Sequence, residues 1–354
     1  LRHFFQNKIV IEDLALQKAY VDFQIYKDSS NFKFLIDYFA PKKKSEGKKK
    51  KPLELQLHNL RLVDNHIKIL NHQQKHHNRG VDFSDIELQH LNVNLAHIKF
   101  DSVSFKTDIK ELSLQEKSGF QIKRFLAKAN ISNTSMEFDQ LDLETNRSKV
   151  ARYLKFSYKK FADFGDFIKK VHIEGTMDEV YVDSRDIEFF APTMSKVQFT
   201  ASVPQASVEG TVNNIRTRNA HIKTGKETIL RGDFSIKGLP DMDKTIFDFD
   251  ASNLQTSAKD LELLIPKLTN RAKFSLPEQL HQFGLIKFAG TFQGLYNLFD
   301  VKGDFDTKLG AVHTDSKIDI RKEISYQGHL ASGAFQLGEL IGSKSIKNTA
   351  LAFD

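Results

Sequence analysis

The sequence contains no cysteine and no tryptophan, and only seven prolines in 354 residues. Without cysteine there is no disulfide, no thiolate nucleophile and no cysteine-based zinc site. No apolar run approaches the ~18 residues that a membrane-spanning helix requires. The local signatures of common catalytic folds are missing too: there is no nucleophile elbow, no P-loop and no GxGxxG after a strand. The chain opens on Leu1-Arg2-His3, without methionine or signal peptide, so a fragment of a larger protein is expected.

What is present points to a packed chain. Hydrophobic residues make up 40%, which excludes a disordered polymer. Thirty Phe stand against eight Tyr, and Phe supplies apolar area with no polar atom to satisfy. The net charge of +7 is local. Pro41 to Pro52 reads PKKKSEGKKKKP, with seven Lys against one Glu, so +6 resides there and about +1 on everything else. That tract reads as a flexible, solvated loop able to touch anionic headgroups, and nucleic acid is not expected as a partner.

The dominant pattern has a period of two. Ile9 and Ile11, then Val21, Phe23 and Ile25, alternate with polar residues, and Leu53, Leu55 and Leu57 alternate with Glu, Gln and His. A turn from Gln73 to Gly80 is followed by further alternating runs: Val81 and Phe83, Ile86 and Leu88, Leu91 to Leu95, Ile98 and Phe100, then Val103 and Phe105, Leu112 and Leu114. Parity slips by one between runs, and each slip predicts a bulge or tight turn, because one extra residue flips the face. The pattern resumes at Phe120 and Ile122, Met136 and Phe138, Leu141 and Leu143, then Val180 and Val182, Val197 to Val203, Val208 and Val212. These are one-sided strands. Helical spacing interrupts them at NFKFLIDYFAP (31–41), FADFGDFIKKV (161–171), AKDLELLIPKL (258–268) and LPEQLHQF (276–283). A loose repeat links RGDFSIKGL at Arg231 to Leu239, FAGTFQGLY at Phe288 to Tyr296 and YQGHLASGAF at Tyr326 to Phe335, as in a stacked β array.

Chemistry is sparse. His72, His76 and His77 lie in one turn, flanked by His58, His66, His90 and His97, but the intervening residues are Gln, Lys and Asn, so no metal is expected. Carboxylates such as Glu54, Glu87 and Glu111 sit singly among Leu and Ile, as solvated residues do. Asn130, Asn133 and Asn146 head Asn-x-Ser sequences, which matter only in a glycosylating source. No enzyme activity and no cofactor are expected.

The stretches GVDFSDIELQHLNVNL and ELSLQEKSGFQIKRFLAKANISNTSMEFDQLDLET resemble the AsmA-like proteins, most closely the TamB-type (translocation and assembly module) proteins of Bacteroidetes. NFKFLIDYF with its Lys-rich gap and PLELQLHNLRL, KFSYKKFADFGDFIKKVHIEG, DIEFFAP and the closing GAFQLGELIGS are similar to the same group. The resemblance implies an inner-membrane-anchored protein of a Gram-negative periplasm. It implies an elongated β groove, or β-taco, that conducts phospholipid in outer-membrane biogenesis, and a partner of the outer-membrane assembly family. The membrane anchor would lie outside this fragment.

The expected architecture is mostly β: an elongated, strongly curved sheet of antiparallel meanders with a few short helices. Its expected parts are N-terminal strands and a helix over 1–40, the Lys-rich loop 41–52, a groove segment 53–192 ending at Pro192, and further AsmA-like repeats over 193–354. More than ~20 strands would exceed an ordinary open sheet. Phospholipid acyl chains would lie on Phe83, Leu88, Leu91, Val93, Leu95, Phe105, Leu112, Leu114, Phe138, Leu141, Leu143, Phe234, Ile236, Phe247, Phe249, Phe288 and Phe292. The alternatives are a plain core between two sheets, a scaffold that holds an assembly or secretion partner, and an outer-membrane barrel, against which the irregular turns and helical inserts argue.

Overall fold

The computed structural model describes residues 8–34, 54–100, 103–321 and 325–353. Among the described residues there are eighteen strands, and the chain divides into two compact units, Leu1–Asp166 and Phe167–Asp354. Pro192 falls inside the second unit, at the start of the 3-10 turn Pro192–Lys196, where its fixed φ suits a first helical position.

In the first unit the strands are β1 (Lys8–Gln17), β2 (Tyr20–Ile25), β3 (Glu54–Asn71), β4 (Asp85–Phe100), β5 (Ser104–Glu116), β6 (Gln121–Ser132), β7 (Ser135–Thr145) and β8 (Lys149–Ser157). From β3 to β8 each strand pairs antiparallel with the next in chain order. The meander expectation fails at the start, because β1 and β2 run parallel to β3, end to end along one edge. Alternation shows which face a strand buries but not its direction. The break between β1 and β2 is stitched by Asn65, only 2% exposed: its Oδ1 accepts from the Ala19 N–H at 2.9 Å and its Nδ2 donates to the Leu16 carbonyl at 3.1 Å.

The parity slips are bulges. Register shifts fall at Asp64, His90, His97 and Gln140, each left-handed with φ of 50, 51, 55 and 54°. A bulge places two residues opposite one, so Leu88 and Leu91, or Phe138 and Leu141, keep to one face although three residues apart. Val81 and Phe83 differ from expectation: they lie in the loop before β4, which begins at Asp85. There Phe83 packs on Phe161 and Phe164 (centroids 6.0 and 5.5 Å) of the 3-10 turn Phe161–Asp166 that follows β8. Tyr158 closes on Phe164 at 5.1 Å. Loop and turn belong to strands four apart in the ladder, so the sheet of this unit must curl to bring them together.

The second unit holds β9 (His172–Asp183), β10 (Thr200–Thr211), β11 (Asn214–Thr224), β12 (Thr228–Lys237), β13 (Ile246–Ser257), β14 (Leu285–Leu295), β15 (Leu298–Thr307), β16 (Gly310–Asp319), β17 (Ser325–Gln336) and β18 (Asn348–Phe353). All pair antiparallel in chain order, and β9 and β18 do not pair with each other. The run Val197 to Val203 becomes strand only at Thr200, because the preceding 3-10 turn ends at Val197. Helices follow β9 (Ser184–Glu188), β13 (Ala258–Thr269) and β17 (Leu337–Ile341); a meander returns to the same end at each of these, so all three start from one rim. Ser257 caps Ala258–Thr269 and Asn270 ends it in the left-handed region, φ 54°. The 258–268 and 276–283 helical readings correspond to this helix and the 3-10 turn Glu278–Phe283, and 161–171 to a 3-10 turn continued by Phe167–Lys170. The 31–41 helix lies outside the described residues beyond Phe34, as does the whole Lys-rich loop.

Candidate functional site

Along each strand the two faces have opposite characters. In β13, Asp248 and Asp250 are exposed, while Phe247 and Phe249 are half-buried and Ala251 is buried. In β14, Lys287, Thr291 and Gln293 are exposed, while Phe288 is 3% exposed and Phe292 half-buried. Register aligns the apolar side across strands: Phe234 faces Phe249, Phe249 faces Phe292, and Phe288 faces Phe305. The rings form a run over β12 to β15, with Phe234–Phe249 at 5.5 Å, Phe249–Phe292 at 5.7 Å and Phe292–Phe299 at 4.4 Å between centroids. Beside it lies a row of small residues, Ala220, Gly232, Ala251, Gly290 and Gly303, each facing the next. At Gly290, φ is 149° and an added Cβ would sit 2.1 Å from the Lys302 carbonyl oxygen, so the strands approach there as only glycine allows.

These residues pack on their neighbours along the sheet. The cluster of Ala251, Phe288 and Val301 gathers Leu230, Leu254, Phe299, Phe305 and Ile318, all from β12 to β16. A separate helical cluster, Ala191, Met194 and Val197, gathers Ile168, Ile187, Phe199, Val212, Met242 and Leu268. The two clusters share no residue. The helical segments pack on each other and on strand ends, and the Phe run packs on itself.

The first unit repeats the plan. Val93 faces Leu62 and Leu112, Leu95 faces Leu60 and Ile109, Phe125 faces Leu143, and Ala129 faces Phe138. Ile109, Phe125, Ala127, Ala129 and Leu141 are buried, with Leu95, Leu112, Phe138 and Leu143 half-buried against them. Leu91 and Val93 are also buried, and Leu88, Phe105 and Leu114 half-buried. Ile236 is half-buried in the second unit. Every expected lining residue except Phe83 therefore lies on a strand. Ala127 and Ala129 were missed because alanine carries little hydrophobic signal, and Ile109 because it precedes a register shift; Phe125 was missed as well. Phe299, Val301 and Phe305 were missed too, although they alternate openly in FDVKGDFD.

Four of the histidines serve the polar face. His58 meets Glu12 at 2.7 Å, His66 meets Glu87 at 2.9 Å, His90 meets Asp64 at 3.0 Å and His97 meets Asp108 at 2.9 Å, each pair bridging adjacent strands. Hydrogen bonding by His97 and Lys110 holds Asp108 below the ordinary carboxylate range; at Glu87 burial opposes ionisation, and bonds from Gln89 and His66 outweigh it. Among the described residues no group of three His, Asp or Glu could hold a metal, and no helix is long and apolar enough to cross a membrane.

The chain matches no protein-family model, and comparisons with curated proteins and with solved structures give no match. Fold and faces define a class: an open, mostly antiparallel meandering sheet protein in which, in each unit, a run of strands carries an apolar face opposite a charged one.

Proposed function

We propose that the apolar faces are the functional surface: a non-enzymatic, AsmA-like, TamB-type segment that conducts phospholipid acyl chains across a Gram-negative periplasm, between inner and outer membranes. The observation that carries this reading is the ring run Phe234, Phe249, Phe292, Phe299, which crosses four consecutive strands on one face while the opposite face carries Asp and Lys. An acyl chain of ~16 carbons in water costs on the order of 0.8 kcal/mol per CH₂, roughly 12 kcal/mol in all. A run of interchangeable apolar side chains removes that cost at every step without holding the chain at any one. Such a function needs no unique residue and no proton transfer.

Purified protein should carry phospholipid, measured by mass spectrometry of solvent extracts. Phe249→Asp places a charge in the middle of the run and should reduce bound lipid at least tenfold while circular dichroism stays unchanged. Wild-type protein that is free of lipid, or a Phe249→Asp variant that is folded and equally loaded, would rule the reading out.

A further inference from the structure

At the strand ends of the second unit, a cleft of about 500 Å³ opens on the charged side of β10 to β13. Its lining crosses the strand ends from Tyr181 and the hydroxyls of Thr200 and Ser202, through Lys223, Lys226 and Glu227, to Ile229 and Leu285. Neither lysine has a carboxylate within ion-pair distance among the described residues. Glu227 is exposed and receives the Ser257 hydroxyl on Oε2 at 2.5 Å. The turn carrying Lys226 and Glu227 is fixed from beneath: the Asp260 carboxylate accepts the N–H groups of Lys226, Glu227 and Thr228 at 2.9, 3.0 and 2.9 Å. Burial, and after it the charges of Arg231 and Lys223, push the neighbouring His221 imidazole below its ordinary value.

We propose that this cleft binds a phosphoethanolamine group, its phosphate held by Lys223 and Lys226 and its ammonium by Glu227. Two cations and one anion, one cation at the end of β11 and the other two charges on the fixed turn, match a zwitterion better than a simple anion. Ile229, which faces Lys223, and Leu285 beyond it suit the carbon atoms that follow the phosphate in a lipid, and the cleft lies at the rim of strands whose other face carries Leu230 and Phe288. As a lipid headgroup site the inference rests on the conduction reading; as a site for the free group it does not.

The test is titration of soluble O-phosphoethanolamine into the isotope-labelled chain, followed by amide shifts. Saturable shifts confined to residues 223–229 are expected. The Lys223→Gln, Lys226→Gln double variant should bind about tenfold more weakly. Glu227→Gln should bind glycerol phosphate and phosphoethanolamine equally. The lysines are exposed, so these variants keep the fold. Absence of saturable shifts, or an unaltered double variant, overturns the proposal. Co-sedimentation with phosphatidylethanolamine vesicles then separates the sources: loss of sedimentation in the double variant assigns the lipid headgroup, and sedimentation of neither protein assigns the free group. Lipid-free protein that still binds phosphoethanolamine defeats the conduction reading alone; lipid-loaded protein that does not bind it defeats this inference alone.

Discussion

Two buried aspartates hold local structure through backbone donors. Asp260 is 2% exposed, and although burial opposes its ionisation, the Thr228 hydroxyl and three backbone N–H groups outweigh that and lower its pKa. Asp260→Ala strands those donors, and a loss of about 2–4 kcal/mol is expected in urea unfolding. Asp82 plays the corresponding part in the loop before β4. Burial again works against the charge, and bonds from the Ser84 hydroxyl and the His77 and Ser84 N–H groups bring its pKa to about 2. An unfolded Asp titrates near ~3.9, so the stability from Asp82 is complete above about pH 4 and is lost as pH falls toward 2. Protection factors at the His77 and Ser84 amides should fall over that window, and Asp82→Asn should abolish the pH dependence.

For the strands, the bulges and the glycine row act oppositely. Gln140 is an exposed, left-handed residue, so Gln140→Gly should stabilise the first unit by about 0.5–1 kcal/mol in urea melts. Gly290→Ala should destabilise the second by more than ~2 kcal/mol, because its Cβ would meet backbone that cannot move without breaking the β14–β15 ladder. This scale is also where the sequence was most and least informative. The slip from Leu88 to Leu91 announced the bulge at His90, since a face can persist across three residues only if one is extra. Nothing local announced that β1 and β2 run parallel to β3, because strand direction depends on a partner forty-six residues away. Phe83 looked like a strand residue since Val81 shares its parity, yet Asp82, with its own hydrogen bonds to Ser84, turns the chain into a loop there. The headgroup cleft left no sequence signal: Lys226 and Glu227 line it beside Lys223 on a turn that Asp260, thirty-four residues beyond Lys226, ties down.

Across the whole chain, function and fold draw on the same apolar side chains, which makes the proposed surface tolerant of small changes and sensitive to charge. Exchanging Phe292 for Leu should leave lipid loading within about twofold, by mass spectrometry, because dispersion and burial are nearly conserved. The other whole-chain property is the order of the ladder. From β3 to β8, and again from β9 to β18, each strand adds to the one that preceded it in the chain. A polypeptide leaving a narrow channel amino-terminus first would find, at each moment, the edge it needs already built. Such a molecule can assemble vectorially, like a zip closing tooth by tooth, without waiting for its last residues.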